Sequence, residues 1–175
     1  MNEVINAIKE RRSLRKFKAD MPSKENLNQI IEAGLYAASG MGKQEVIILA
    51  VTNKEIRDKI AASNCKIGGW QEGFDLFYGA PAILIVLGNK NWVTSLYDGS
   101  LVMGNMMLAA HSLGLGSIWI HRAKEEFEMD EYKKLLTDLG VSGDWEGIGH
   151  CAVGYIDGEN PKAASRKENR VYWVE

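Results

Sequence analysis

The chain has 175 residues, 46% of them hydrophobic and 25% charged, which is typical of one soluble globular domain spanning residues 1–175. Its formal net charge of −2 argues against a general nucleic-acid-binding protein, and no apolar stretch reaches membrane-spanning length, so we expect neither partner. The two cysteines, Cys65 and Cys151, lack metal-ligand spacing and suit a reducing compartment. Because the N-terminus has no signal-peptide pattern, a cytoplasmic location is expected.

The first predicted elements are two helices. Val4, Ile5 and Ile8 share one face of a predicted helix over residues 2–11. Ser23 fits the N-cap of a second helix, which carries its own apolar stripe. The next elements predicted along the chain are a strand buried on both faces and a helix, at residues 46–51 and 53–62.

Residues 63–79 combine glycines with aromatic side chains, and the pattern favours either a short helix or a cover over a pocket. Trp70, Phe74 and Phe77 in this segment would either stack on a flat substrate or pack in the core or a dimer interface. Both pairs of alternatives stay open at the level of the sequence.

The second half of the chain contains one segment that is apolar on all sides. Residues 98–113 predict a helix with this pattern, which indicates a buried, central position, shared with a second subunit. The other predicted elements are strands at residues 81–87, 117–121, 149–156 and 171–174, and a charged surface helix at residues 124–139. This order predicts an α+β fold, with a mixed central sheet flanked by helices around the long buried helix.

No set of side chains in the sequence has the composition of a catalytic centre. His150 and Cys151 are neighbours in a predicted strand, so their side chains point to opposite faces and do not form a catalytic pair. His111 lies on the apolar helix, where we expect a hydrogen-bonded core residue. No His, Cys, Asp or Glu cluster has metal-ligand spacing, so no metal site is predicted. A bound cofactor would therefore have to carry any chemistry.

Three separate segments suit a flat, phosphorylated cofactor. Residues 11–15 contain three arginines and a serine, and arginine forms forked hydrogen bonds with phosphate oxygens. Residues 39–44 form a loop of mostly small residues whose backbone can approach a flat ligand closely. Residues 165–167 add a basic pair near the C-terminus. Both basic segments are also compatible with simple solvent exposure, since cations are favoured at helix C-termini and in polar tails.

These segments belong to a series of stretches at residues 11–17, 37–44, 77–81, 98–110, 112–117 and 166–167. In their order and spacing, the chain resembles the nitroreductase family of FMN-dependent oxidoreductases over essentially its whole length. The resemblance implies an intertwined homodimer with FMN at the subunit interface. It further implies that NADH or NADPH reduces the flavin, which then reduces an electron-poor small molecule such as a nitroaromatic or a quinone. The alternatives are a flavoprotein of this fold with another reaction, such as reductive dehalogenation, and a non-enzymatic flavin-binding or redox-sensing protein.

The resemblance also assigns cofactor contacts to residues of this chain. Arg11, with Arg166 or Lys167, would bind the FMN phosphate. Arg15 would reach the pyrimidine edge, where a fixed cation stabilises the negative charge of the reduced ring. The other implied contacts are the ribityl chain or phosphate for Arg12 and Ser13, flavin N5 for Ile120, His121 and Arg122, and the flavin of the opposite subunit for Ala38, Ser39, Gly40, Gly42 and Gln44.

Some positions depart from the family pattern. Relatives commonly have Pro in place of Ala38 and Asn in place of Gly42, and Gly42 removes a side-chain hydrogen bond to the flavin edge. Many relatives have an acidic or small residue where this chain has His121 and Arg122. This cationic pair would either favour anionic substrates or pair with the acidic helix that follows, and the sequence leaves both open.

Overall fold

The computed structural model describes residues 2–175, and its first three α-helices begin at polar residues whose side chains cap free N–H groups. The Asn2 side chain accepts the Val4 N–H at 2.9 Å and opens α1 (Glu3–Glu10). Ser23 caps α2 (Lys24–Leu35), as predicted, by accepting the Asn26 N–H. The next helix, α3 (Lys54–Ile67), begins in the same way after Asn53 and extends five residues beyond its predicted end.

Four strands form one sheet in the order β1-β2-β4-β3. They are β1 (Val46–Val51), β2 (Ala82–Asn89), β3 (Gly116–Ile120) and β4 (Trp145–Gly154). Each neighbouring pair of strands is antiparallel. The α+β class is therefore confirmed, whereas the predicted mixed sheet is wrong for the described strands.

Strand β1 is an edge strand, and this corrects the expectation of burial on both faces. It pairs only with β2, and four of its six residues are partly or fully exposed. Strand β2 lies inside the sheet, and its first seven residues are buried. Because side chains alternate along a strand, one core layer contains Ile83, Ile85 and Leu87, and the other contains Ala82, Leu84 and Val86.

The predicted apolar helix is α4 (Ser95–Ser112), and it lies against one face of the sheet. Met103 and Met106 on it are fully buried. Helix α2 packs closely on α4, since a Cβ on Gly34 would lie 2.7 Å from Met106 Cγ. The other side of α4 is exposed in the single chain, with large apolar side chains at Leu96, Tyr97 and Leu101.

Two predictions for the C-terminal third are wrong. Instead of one surface helix at residues 124–139, the chain forms α5 (Ala123–Phe127) and α6 (Asp130–Asp138), because Glu126 and Phe127 turn into the core. Residues 171–174 do not form a strand with any described residue, and their side chains are exposed. Residues 157–169 are irregular, as predicted. Among the helices of residues 2–175, none is long and apolar enough to cross a membrane.

Candidate functional site

The arginine segment, residues 11–18, is attached to the free edge of β3. The Leu14 N–H donates to the Ser117 carbonyl at 3.1 Å, and Ser13 and Ser117 form a parallel bridge. The side chains of Leu14 and Phe17 are buried and anchor the segment in the core. Further along, the Lys18 N–H donates to a carbonyl just after β4. The backbone of the arginine segment is thus held firmly on both sides of its cationic side chains.

Two guanidinium groups of the arginine segment have buried nitrogen atoms without a hydrogen-bond partner among the described residues. These atoms are Arg11 Nη1 and Arg12 Nε. The Arg12 guanidinium is also held by the preceding backbone, since its Nη1 donates to the carbonyls of Lys9 and Arg11, both at 2.7 Å. Arg15 is exposed. A buried donor without an acceptor costs about 1–3 kcal/mol, so an anion that reached Arg11 and Arg12 would remove this cost.

The other end of β3 forms a turn with an unusual backbone. Arg122 has φ 79° and ψ 9°, in the left-handed region. The carbonyl before it belongs to His121 and accepts the Asn64 Nδ2–H at 2.8 Å. His150 Nδ1 lies 3.2 Å from the Ile120 carbonyl oxygen. Both peptides of the turn are thereby fixed by side chains from other elements.

Sequence reasoning did not find the side chains that hold this turn. Asn64, Glu126 and His150 are completely buried, and Glu126 Oε2 lies 2.5 Å from His150 Nε2. The two side chains are in close contact without regular hydrogen-bond geometry. The three residues are far apart in sequence, and the sequence pattern predicts that Glu126 belongs to a charged surface helix. Only the folded chain brings them to Ile120 and its neighbours.

The cationic residues at the turn are not paired with the acidic helix. Among the described residues, neither His121 nor Arg122 forms an ion pair. The Arg122 side chain lies close to Gly68 instead, because a Cβ on that glycine would be 2.9 Å from Arg122 Nε. The Trp70 ring also lies against Gly68, since the same Cβ would be 2.6 Å from Trp70 Cδ1. The turn at the end of β3 therefore adjoins residues 63–79.

Residues 63–79 border a cavity. Helix α3 ends within this segment, and the following turns enclose a space of about 720 Å³ with the outer side of α3. Trp70 and Phe74 are stacked at its rim with ring centroids 5.4 Å apart, and both are about half exposed. Phe77 is fully buried, with Arg57 over its ring and the His150 ring 5.3 Å away. Of the roles considered for Phe77, core packing is therefore confirmed and stacking on a substrate is wrong.

The loop at residues 38–44 leads into β1, at the sheet edge opposite β3. Its Gly40 N–H donates to Asp98 Oδ1 at 3.0 Å, and Thr94 donates to the same carboxylate at 2.9 Å. The Gln44 N–H donates to the Ser39 hydroxyl at 3.2 Å. A Cβ on Gly40 would lie 2.3 Å from Thr94 Oγ1, so this position has no room for a side chain. The loop is anchored on α4, and Ala38, Gly42 and Gln44 remain exposed.

Only part of the predicted site comes together within one chain. The arginine segment runs beside β3, and residues 120–122 form the end of β3 and the turn after it. Both therefore lie at the same edge of the sheet. The loop at residues 38–44 leads into β1 at the opposite edge, three strand spacings or about 14 Å away. In the exposed tail, Arg166 Nη2 donates a local hydrogen bond to the Ala164 carbonyl at 2.9 Å, and Lys167 is exposed.

The family comparison covers most of the chain. A family model described as the nitroreductase family matches residues 8–67 and 69–155. The chain belongs to the nitroreductase family.

Individual relatives agree with this assignment. The crystal structure of a nitroreductase with bound FMN from Bacteroides fragilis has a TM-score of 0.88 and 32% identity, with 100% of both chains covered. An NADPH-flavin oxidoreductase of Vibrio harveyi is 34% identical over 176 residues, which cover 95% of this chain and 70% of the relative. The FMN reductase (NAD(P)H) of Bacillus subtilis is 29% identical over 165 residues, which cover 79% of this chain and 64% of the relative. The chain thus spans about two thirds of these curated relatives.

Proposed function

We propose that this protein is an FMN-dependent oxidoreductase that takes electrons from NADH or NADPH and passes them to electron-poor small molecules such as nitroaromatics or quinones. Family membership and the relatives that bind or reduce FMN support this function. The single structural observation that carries the proposal is the pair of buried guanidinium nitrogens at Arg11 and Arg12 that find no acceptor among residues 2–175. An FMN phosphate has the oxygen atoms that these donors lack.

The residues of the arginine segment have distinct parts in the proposed site. Arg11 and Arg12 bind the phosphate, and Ser13 contacts the phosphate or the ribityl chain. Arg15, which is exposed on the same segment, stabilises negative charge at the pyrimidine edge of the ring. The tail completes the phosphate site with Arg166 or Lys167.

The remaining contacts are to the ring and its surroundings. The strand end formed by Ile120, His121 and Arg122 passes beside flavin N5, where a backbone N–H can donate a hydrogen bond. Bound FMN supplies the hydride-accepting and hydride-donating centre, so no side-chain acid or base is required. The half-exposed Trp70 and Phe74 stand beside the turn and offer flat apolar surface to an acceptor.

We infer that the site is completed in a homodimer, with FMN at the subunit interface. The loop that would contribute Ala38, Ser39, Gly40, Gly42 and Gln44 lies at the opposite sheet edge from the arginine segment, which supports its contribution to the site of a second copy. Exposed apolar side chains on α1 and α4 provide a surface that a second copy would cover. The free cysteines, both buried, support a cytoplasmic location.

The function is tested by binding and reduction of flavin. The purified protein should bind FMN, and anaerobic NADH or NADPH should bleach the oxidised flavin absorbance. Menadione or a nitrofuran should then restore it, whereas restoration by a halogenated phenol with halide release would favour the dehalogenase alternative. Flavin that binds but is reduced by neither nicotinamide cofactor would contradict the proposed enzyme and favour a flavin-binding protein.

The role of Arg11 is tested by comparing FMN with riboflavin, which lacks the phosphate. Arg11→Ala should weaken FMN binding by about 10-fold to 100-fold, the equivalent of a charge-assisted hydrogen bond of about 1.5–3 kcal/mol. Riboflavin affinity should be unchanged. Lys134→Ala is the matched control, because Lys134 pairs with Asp138 on α6 and its loss removes the same charge elsewhere. Equal losses for FMN and riboflavin would contradict the phosphate assignment.

A further inference from the structure

We propose that Asn64, Glu126 and His150, together called the carbonyl clamp, are positioning residues that aim the backbone N–H groups of His121 and Arg122 at flavin N5. The clamp touches neither flavin nor substrate. It acts through the turn at the end of β3, and it sets the redox potential of the bound flavin. This inference rests on the proposed function, because it concerns the same FMN site.

The clamp holds two successive carbonyl groups. Asn64 Nδ2 donates to the His121 carbonyl at 2.8 Å, and His150 Nδ1 lies 3.2 Å from the Ile120 carbonyl. The Asn64 and His150 side chains are completely buried, so water does not compete for these bonds. The contact of Glu126 with His150 Nε2 fixes the imidazole ring from its other side.

The Ile120 carbonyl determines which imidazole nitrogen carries hydrogen. A carbonyl oxygen can only accept, so an attractive contact with His150 Nδ1 requires hydrogen on that nitrogen. Nε2 on the other side of the ring then faces the Glu126 carboxyl group.

Holding the carbonyls orients the N–H groups. A trans peptide unit is planar, and its N–H points away from its C=O. The clamp therefore directs the His121 N–H and the Arg122 N–H away from Asn64 and His150. Among the described residues, neither N–H donates a hydrogen bond to the rest of the chain. Donation to the carbonyl also polarises the peptide and makes its N–H a stronger donor.

Stability alone is a weak reason for this arrangement. A buried ion pair often contributes no more than well-packed apolar residues of similar volume, because both charges lose water. Among the described residues, neither Glu126 carboxylate oxygen has a regular hydrogen-bond partner, and Asn64 Oδ1 has none either. A set of buried polar groups with these unmet bonds fits a positioning role better than a stabilising one.

The direction of the redox effect follows from the chemistry of N5. Oxidised flavin has an acceptor lone pair at N5, whereas the reduced ring carries hydrogen there and accepts a bond less well. A well-aimed N–H therefore favours the oxidised ring. We expect Asn64→Leu to reduce the preference for oxidised over reduced FMN by about 10-fold, which raises the two-electron midpoint potential by about 30 mV. The double variant His150→Phe with Glu126→Met, which leaves no buried unpaired charge, should raise it similarly.

Two matched variants separate positioning from loss of stability. In Glu126→Gln the amide donates to His150 Nε2, Nδ1 keeps its hydrogen, and the potential should remain that of the wild type. Ile85→Val removes a buried methyl group from the residue paired with His150 in the sheet, which destabilises the core and leaves all three clamp side chains in place. Its potential should also be unchanged. Potentials are measured by spectroelectrochemistry on FMN-saturated protein, with melting temperatures recorded in parallel.

An additional measurement does not depend on any variant. Nitrogen-15 NMR of the histidine side chains in the folded wild type should show hydrogen on His150 Nδ1, and an unprotonated Nδ1 would overturn the clamp. Unchanged potentials in Asn64→Leu and in the double variant would overturn it while the FMN enzyme stands. A shift of similar size in Ile85→Val, or in Glu126→Gln, would also overturn it. A wild-type protein that binds no flavin would remove both the clamp and the proposed function.

Discussion

Cys151, in the middle of β4, shows how strongly this core acts on a single titratable group. Burial raises the pKa of its thiol to about 12, and the nearby charge of Arg11 only partly opposes this. The folded chain therefore keeps the proton where the unfolded chain, with a pKa near 9.0, releases it. This contribution to stability is complete below about pH 9 and declines as the pH rises toward 12.

We expect Cys151 to be inert toward thiol reagents at neutral pH in the folded protein and reactive after denaturation. Urea unfolding should also show that the free energy of unfolding falls less between about pH 9 and 11 in Cys151→Val than in the wild type, because valine cannot lose a proton. The two proteins should have parallel pH profiles below about pH 8. Identical profiles over the alkaline range would show that the thiol titrates normally in the fold.

At the scale of one element, the loop at residues 38–44 offers a matched pair of glycines. Gly40→Ala places a methyl group against Thr94, where a Cβ would lie 2.3 Å from the hydroxyl oxygen, so the loop must shift. Gly42 has φ 67° and open space around its Cβ position, and asparagine tolerates this left-handed backbone better than other side chains. We therefore expect Gly40→Ala to weaken FMN binding by about 10-fold and Gly42→Asn to retain or strengthen it.

Isothermal titration with FMN, together with melting curves of the apoprotein, tests this pair. Similar losses in both variants would show that the loop tolerates no change at all, and no loss in Gly40→Ala would place the loop outside the site. The prediction depends on packing against α4, which only the folded chain reveals.

Most elements could be predicted from the sequence, because their patterns are local. Ser23 marks the start of α2, and apolar residues on all sides of the segment 98–113 mark a helix in the core. The errors arise where burial depends on distant partners. Glu126 has the charge of a surface residue but lies in the core against His150, so its helix ends early. Edge strand β1 has the apolar sequence of an interior strand.

The charged residues of the candidate site could be proposed from the sequence, whereas its supporting residues could not. Three arginines close together suit anion binding, although the same pattern also fits a solvent-exposed cluster. Asn64 and His150 could not be found in this way, because their partners are backbone carbonyls, which carry no signal in the sequence. The roles of the site residues at the cofactor stay predictions until flavin binding is measured.

At the scale of the whole molecule, the tail requires a surface that the single chain does not supply. Residues 158–175 are all exposed, including Tyr172, Trp173 and Val174. Apolar side chains of this size seldom remain in water together, so we expect the tail to lie on a second copy. The full chain should have twice the 19.5 kDa mass of one subunit in light scattering. Deletion of residues 158–175 should shift the mass toward one subunit and weaken FMN binding.

A tail-deleted chain that remains a dimer would show that α1 and α4 alone hold the two copies together, and a full-length monomer would contradict the dimer itself. Trp173→Ala gives a milder version of the same experiment, with a concentration-dependent mass as its expected result.

The distribution of the site over opposite edges of the sheet has a genetic consequence. Arg11→Ala and Gly40→Ala would each weaken FMN binding, but they change segments at opposite edges of the sheet. If each flavin is bound by residues of both subunits, a mixed dimer of the two variants has both substitutions in one of its two flavin sites. Its other site then has neither substitution. Co-expressed mutant alleles would then complement each other and recover up to half the wild-type turnover per hybrid, which neither parent regains alone.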